Sequence, residues 1–470
     1  MGELNKRTDD LRSKEAPKNQ EKGCQSSLSD LLNSRLNRRD LLKAGAIAGL
    51  GLAALGTDPR QLFGQKPAVI KGSSLSILQG TYFIPAAQEL YKKQAQTWGK
   101  ANGVKVTTDF LNWPDLQPKI GAAVQAGGLD IVELWPSWNY LYKDSLVDLT
   151  ELAEEVGRKG GGYEPYVLNS ARVDGRYLGI PPGFTNDSVN YRISWFKEVG
   201  VANAEDGTKL DMTWDEYHTI AKKLKAKGHP FGQALGHSTG DPPSFCYPYM
   251  WAHGAMEVDK DGKTVLFNKP EFVDSMKKFI QAWKDGYDET GTSWDDSNNN
   301  RAFLSGQISC TLNGSSIYFV ARKDKPEIAK DMQHMLIPRG PAGRFYWLGS
   351  KTYAILKNSK NIPAAKEFLR WWFDDSQYGE WFRLQDGYQL QNTAKYAKDP
   401  MWNRDPKMTV FRDEPKYGRD LGYAGPPNQK ASLAYSKYIV VDTFTRSVQS
   451  GDAETAIKWG AEQLKHIYGG

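Results

Sequence analysis

Residues 174–192 read DGRYLGIPPGFTNDSVNYR, two short extended segments either side of a rigid break. Arg176 to Ile180 can pair as one strand, and Ser188, Val189, Asn190 and Tyr191 alternate polar and apolar as a second. Pro181 and Pro182 cannot donate to a β-ladder and fix the backbone between them. Gly183 then permits any turn geometry. A doubled proline between two strands suits a chain that leaves one sheet and enters another. Pro181, Pro182 and Gly183 are therefore expected to form the hinge of a two-lobed protein, with its ligand beside them.

The rest of the composition agrees with two lobes. The chain has 470 residues, too many for one ordinary domain. Hydrophobic residues at 40% and charged residues at 25% describe a globular protein. Aromatic residues at 12%, including 15 Trp and 23 Tyr, point either to large aromatic cores or to a site that stacks flat ligands. The formal charge is +6 and no basic stripe is present, which excludes a nucleic-acid partner. Three Cys occur, none with metal-ligand spacing. Cys310 lies in a strand-like run, so Cys246 and Cys310 are expected as two buried thiols rather than a disulfide.

Residues 1–34 are polar and without periodicity and read as disordered. Arg38 and Arg39 precede an apolar run from Ala44 to Leu55, too short for a stable membrane span and suited to an export signal. The paired arginines look like a twin-arginine signal, so residues 1–60 are expected to be an n-region and leader and the protein to be periplasmic. No A-x-A cleavage site is evident there.

From Leu75 strands and helices alternate. Strands are expected at Leu75–Leu78, Val104–Thr108 and Leu129–Leu134, with a helix after Pro85 that Gly103 ends. This β-α-β-α order predicts a mostly parallel sheet flanked by helices, with ligands outside the carboxyl ends of its strands. Later signals are a capping box at Thr213–Glu216, a helix over Glu271–Trp283 and a strand over Ile308–Leu312. Asp296 to Asn300 lack the Gly and the terminal Glu of a calcium loop and read as a helix N-cap. The Pro- and Gly-rich segment IPRGPAGRFYWLGSKTYAIL, 337–356, is a natural second crossover.

Six pieces, GGLDIVEL, DGRYLGIPPGFTNDSVNYRISWFKEVG, TWDEYHTIAKKL, AFLSGQISCTLNG, IPRGP with WLGSKTYAI, and AAKEFLRWW with a later QDGY, resemble in order and spacing the solute-binding proteins of ABC importers. The similarity is to the sugar-binding branch that includes maltodextrin-binding protein, and it spans most of 75–460. The resemblance implies the two-lobed periplasmic-binding-protein α/β fold, each lobe a mostly parallel sheet flanked by helices. It also implies no enzymatic activity, no cofactor, a monomer, and a membrane permease as partner beside the export machinery. The lobes would be 72–185 with 352–395, and 186–351 with 396–470.

The resemblance also implies a cleft lined by Tyr82, Trp135, Trp138, Asn186, Asp187, Asp241, Phe245, Asn313, Trp347, Tyr388 and Tyr438. Such a set fits a sugar, because aromatic rings cover the apolar face of a pyranose while Asp and Asn bind its hydroxyl rim. Trp214, Trp371 and Trp372 fall on buried helix faces and belong to the core. Two alternatives stay open. The same fold could take a polyamine or an organic anion, the first needing several converging carboxylates. An exported glycoside hydrolase could use Asp187 and Asp241 as its carboxylate pair.

Overall fold

The computed structural model describes residues 71–469. The disordered segment and export signal expected over 1–60 lie outside the described residues.

Eight strands carry the architecture: β1 (Ser74–Gly80), β2 (Lys105–Leu111), β3 (Ile131–Leu134), β4 (Ile180–Gly183), β5 (Ser188–Arg192), β6 (Cys310–Asn313), β7 (Met332–Met335) and β8 (Lys351–Ile355). The first sheet has the order β2-β1-β3-β8-β4 and the second the order β6-β5-β7. The chain leaves the first sheet through residues 184–187 and returns to it through 336–350.

The expectation of mostly parallel sheets holds in part. β1 runs parallel to β2 and β3, but β8 is antiparallel to β3 and β4. β5 is antiparallel to both neighbours, so the second sheet is antiparallel, with one parallel bridge from Phe231 to Cys310 at its edge. The sequence reading extended the βαβ order of the first 60 described residues to both sheets, while β5 and β8 arrive by crossovers rather than after a packed helix.

The opening stretch folds differently from its first reading. Arg176–Tyr177 pairs only with Arg172–Val173, across a two-residue turn of Asp174 and Gly175 with φ of 51° and 80°. Both residues sit at positive φ, the geometry that Asp-Gly hairpin turns favour. Pro181 and Pro182 are not a break between strands but lie inside β4. They are tolerated there because β4 is the edge strand of its sheet.

The local signals of the helices are realised. Pro85–Asn102 begins with Pro at its first position and ends at Gly103 in the left-handed conformation. It buries Ala87, Tyr91, Ala95 and Trp98. Thr213 and Glu216 form both halves of the capping box of Trp214–Lys225. Trp214 and Trp372 are core residues, and Trp371 is partly buried against the core. Cys246 and Cys310 are both buried and free. Buried side chains of both sheets belong to one continuous apolar cluster.

Candidate functional site

Every strand of the first sheet delivers a residue to the same edge. The carboxyl ends of β1, β2 and β3 lead into Tyr82, Trp113 and Trp135. The carboxyl end of β4 leads into Phe184 and Thr185, and antiparallel β8 begins there with Lys351. Tyr82, Phe83, Trp113, Trp135, Thr185 and Lys351 line one cleft, joined by Trp381, Gln385 and Tyr388. Its opposite wall comes from the second sheet and its helices: Asn186, Asp187, Gly240, Asp241, Ser244, Asp296, Asn313 and Ser316.

The aromatic wall is interlocked. Tyr82 donates its hydroxyl to Gln79 at 2.5 Å and lies 3.0 Å from the hydroxyl of Tyr353. Its ring meets Trp381 edge-on at 5.9 Å. Trp113 and Trp135 pack at 4.5 Å between ring centroids. The indole N–H of Trp135 donates to the Tyr435 hydroxyl at 2.7 Å, and Tyr435 donates in turn to the Thr239 carbonyl. Lys351 Nζ sits 5.3 Å from the Trp113 ring and 5.7 Å from the Tyr82 ring, within cation–π range. It pairs at 3.3 Å with Glu133, whose other oxygen accepts from the Gly80 N–H. Burial still raises the Glu133 carboxyl, although Lys351 opposes it.

The other wall is acidic. Asp296 accepts from the N–H groups of Gly240 and Asp241 at the start of the helix Asp241–Ala252, where the positive end of the helix dipole suits a carboxylate. Asp241 accepts from Asn299 at 2.6 Å and from Asn313 at 2.8 Å. Asp187 receives Ser244, while its Oδ1 is buried with no partner. Behind it, Glu414 accepts from the Asp187 N–H at 3.0 Å. Burial, with the Asp296 charge beside it, pushes Asp187 up to about 7. Burial and then the neighbouring Asp296 and Asp187 hold Asp241 well above the usual carboxylate range.

Seven expected residues meet at this cleft: Tyr82, Trp135, Asn186, Asp187, Asp241, Asn313 and Tyr388. Asn186 also has a structural task, donating to Ser315 and the Gly387 carbonyl and accepting from the Ser315 N–H. Four others lie elsewhere. Trp138 and Phe245 are each 1% exposed in the core, Phe245 against Trp214, Tyr249, Phe279 and Phe444. Trp347 stands behind the cleft, packed on Trp135, Phe184 and Tyr435. Tyr438 stacks on His237 at 4.5 Å. The resemblance implies a cleft position for all four, but the neighbours of Trp138, Phe245 and Trp347 turn them inward, and Tyr438 lies half-buried against exposed His237.

Several lining residues escaped the sequence reading. Trp113 follows β2 as Tyr82 follows β1, so the rule that sites lie outside strand carboxyl ends could have found it. Asp296 does not cap the helix that follows it: Asp295 accepts from the N–H groups of Ser297 and Asn298 at 2.8 and 3.2 Å ahead of that helix, and Asp296 faces the cleft. No signal in the sequence singles out Lys351 or Trp381.

The outer recess of the cleft, between Phe83, Trp113 and Asp296, has a volume of about 320 Å³. Its floor narrows to about 50 Å³ beside Trp135 and 30 Å³ beside Asp187. Among the described residues no group of three or more His, Cys, Asp or Glu is arranged to hold a metal ion. No helix among them is long and apolar enough to cross a membrane.

A comparison with curated protein sequences finds no match. Solved structures do match. Maltose-bound MalE3 of T. maritima superposes with a TM-score of 0.72 at 19% identity, covering 84% of this chain and 100% of its own. A ribitol complex of an ABC transporter solute-binding protein from Agrobacterium radiobacter gives 0.71 at 18% identity, covering 85% and 100%. A laminaribiose-bound sugar transporter protein of Arthrobacter chlorophenolicus gives 0.71 at 16% identity, covering 84% and 99%. At these identities the likeness establishes the fold. The sequence profile of the bacterial extracellular solute-binding proteins matches residues 93–410. This chain is a member of the bacterial extracellular solute-binding protein family.

Proposed function

We propose that this protein captures a sugar or polyol between two lobes, 72–185 with 352–395 and 186–351 with 396–470, and presents it to the permease of an ABC importer. The observation that carries this reading is the cleft itself. Tyr82, Trp113 and Trp135 supply flat apolar surface at one wall, backed by Trp381, and hydrogen-bonding groups face it from the other. Two buried donors without partners, Trp381 Nε1 and Gln385 Nε2, belong to residues of this cleft, and sugar hydroxyls would satisfy them. Maltose, ribitol and laminaribiose in the structural relatives agree with that chemistry.

In this reading a sugar enters as the lobes part and is held as they close. Residues 184–187 and 336–350 connect the two sheets and are the segments that would flex. A ligand touching both walls then favours the closed form. Hydrolysis fits the geometry less well. Asp187 and Asp241 lie on the same wall, whereas glycosidases flank the scissile bond with their two carboxyls. In this reading the protein binds and releases its ligand unchanged, as a monomer and without cofactor. Export to the periplasm rests on Arg38, Arg39 and the apolar run that follows.

A thermal-shift screen against mono- and oligosaccharides and polyols tests the reading, because a ligand that binds only the folded state raises the melting temperature. A concentration-dependent rise with at least one of them is expected. No rise across the panel, or release of smaller sugars on incubation with oligosaccharides, overturns it.

A further inference from the structure

The two walls of the cleft differ in charge. Lys351 is the cation of the aromatic wall, and Glu133 already neutralises it at 3.3 Å. Across from it Asp187, Asp241 and Asp296 converge around the start of one helix, and the charges that act on them are those of one another and of Asp295. Their stabilisation comes from neutral donors: Ser244 for Asp187, Asn299 and Asn313 for Asp241, and the Gly240 and Asp241 N–H groups for Asp296. A purely neutral sugar needs acceptors for its hydroxyl protons, but it does not need three acids that repel one another. Gln or Asn would serve it with no electrostatic cost.

A second observation is independent of the clustering. Asp187 is 9% exposed, lines the cleft, and leaves Oδ1 buried without any hydrogen-bond partner. Buried polar atoms are almost always paired, so an orphaned acid oxygen beside the cleft marks a place where a donor belongs. A compact metal ion does not match, since the described acids are not grouped to ligate one. Flat rings on the facing wall favour an organic cation, which their π-faces attract.

We propose that the ligand is a sugar or polyol carrying a protonated amino group, which Asp187, Asp241 and Asp296 receive while the aromatic wall covers the ring. The inference rests on the sugar-binding reading above and narrows it to amino sugars and amino polyols. Burial and neighbouring charge raise these acids above the ordinary carboxylate range, and an ammonium group placed among them relieves both effects.

Calorimetry at fixed pH with glucosamine and its β-1,4-linked dimer and trimer, their N-acetylated counterparts, maltose and spermidine tests the proposal. N-acetylation removes the charge and keeps the ring. At least one free-amine sugar is expected to bind about 10-fold or more tightly than its N-acetylated form. That preference should fall to about 2-fold or less in Asp187→Asn, and in Asp296→Asn if the first variant does not fold. Equal or tighter binding of the N-acetylated sugars or maltose overturns the amine proposal and leaves the sugar reading intact. Binding of spermidine alone overturns both, and so does binding of no member of the panel.

Discussion

Gly80 ends β1 against the face of the Trp113 indole, and a Cβ built there would fall inside the ring. Trp113 cannot simply swing away, because Trp135 packs on it at 4.5 Å and Lys351 lies over it at 5.3 Å. Gly80→Ala is therefore an overpacking change, expected to cost about 1–3 kcal/mol in urea unfolding. An unchanged midpoint would mean that the ring is free to move. Lys351 and Glu133 make a second residue-scale case. Both are nearly fully buried, at 5% and 1% side-chain exposure. Removing one member of such a pair strands the other charge, which costs more than the pair itself contributes. Lys351→Met should destabilise by about 3 kcal/mol, and adding Glu133→Gln should recover more than half of that. If the double variant is as unstable as the sum of the two singles, the pair is not coupled.

At the scale of elements, β4 shows how a doubled proline lives inside a sheet. The carbonyl of Pro181 accepts from Asn392 at 2.9 Å. That of Pro182 accepts from the Tyr378 hydroxyl at 2.7 Å and from Gln389 at 3.1 Å. These side chains replace the ladder partner that an edge strand lacks. Gly183 closes the strand with φ of +95°, its N–H donating to Ser350 at 3.1 Å, and a Cβ there would run into the Leu390 carbonyl. Gly183→Ala combines backbone strain with a clash and should cost about 2 kcal/mol or more, read as a lowered thermal midpoint. The same element marks the limit of sequence reading. Capping at Thr213 and Glu216, the Pro85 start and the Gly103 stop are local codes, and each is realised where its residues stand. The place of Pro181 and Pro182 depends on Tyr378, Gln389 and Asn392, about 200 positions away, and no local pattern carries that. The site divides in the same way. Tyr82 and Trp135 follow parallel strands and were legible, while Trp347 and Phe245 were drawn inward by partners distant in the chain.

For the whole molecule, the two sheets share one apolar cluster, and acids and histidines are buried in and around it. Their balance sets how stability depends on pH. Burial raises Asp187 and Glu257 to about 7. Burial also lifts Asp241 and Glu414 well above the usual carboxylate value. A carboxyl raised on folding adds stability that is complete below its unfolded value, near 4, and is lost as the pH climbs through its folded value. His218 and His334 act in the opposite sense. Burial lowers both to about 3, so their contribution is complete above the unfolded value, near 6.5, and is lost as the pH falls toward 3. Between about pH 8 and 6.5 the carboxyls take up protons in the folded state ahead of the histidines, which reach only about half charge in the unfolded one at the lower end. Stability should therefore rise by about 1 kcal/mol or more as the pH drops across that window, and more gently below it, where the histidines oppose the acids. Urea unfolding at fixed ionic strength across this range measures the slope directly. A midpoint that falls steadily from about pH 8 to 6.5 would mean that these acids are ionised and paired in the folded protein. In the Asp187→Asn variant the rise should shrink, because one of the groups titrating near 7 is gone while Glu257 and both histidines remain.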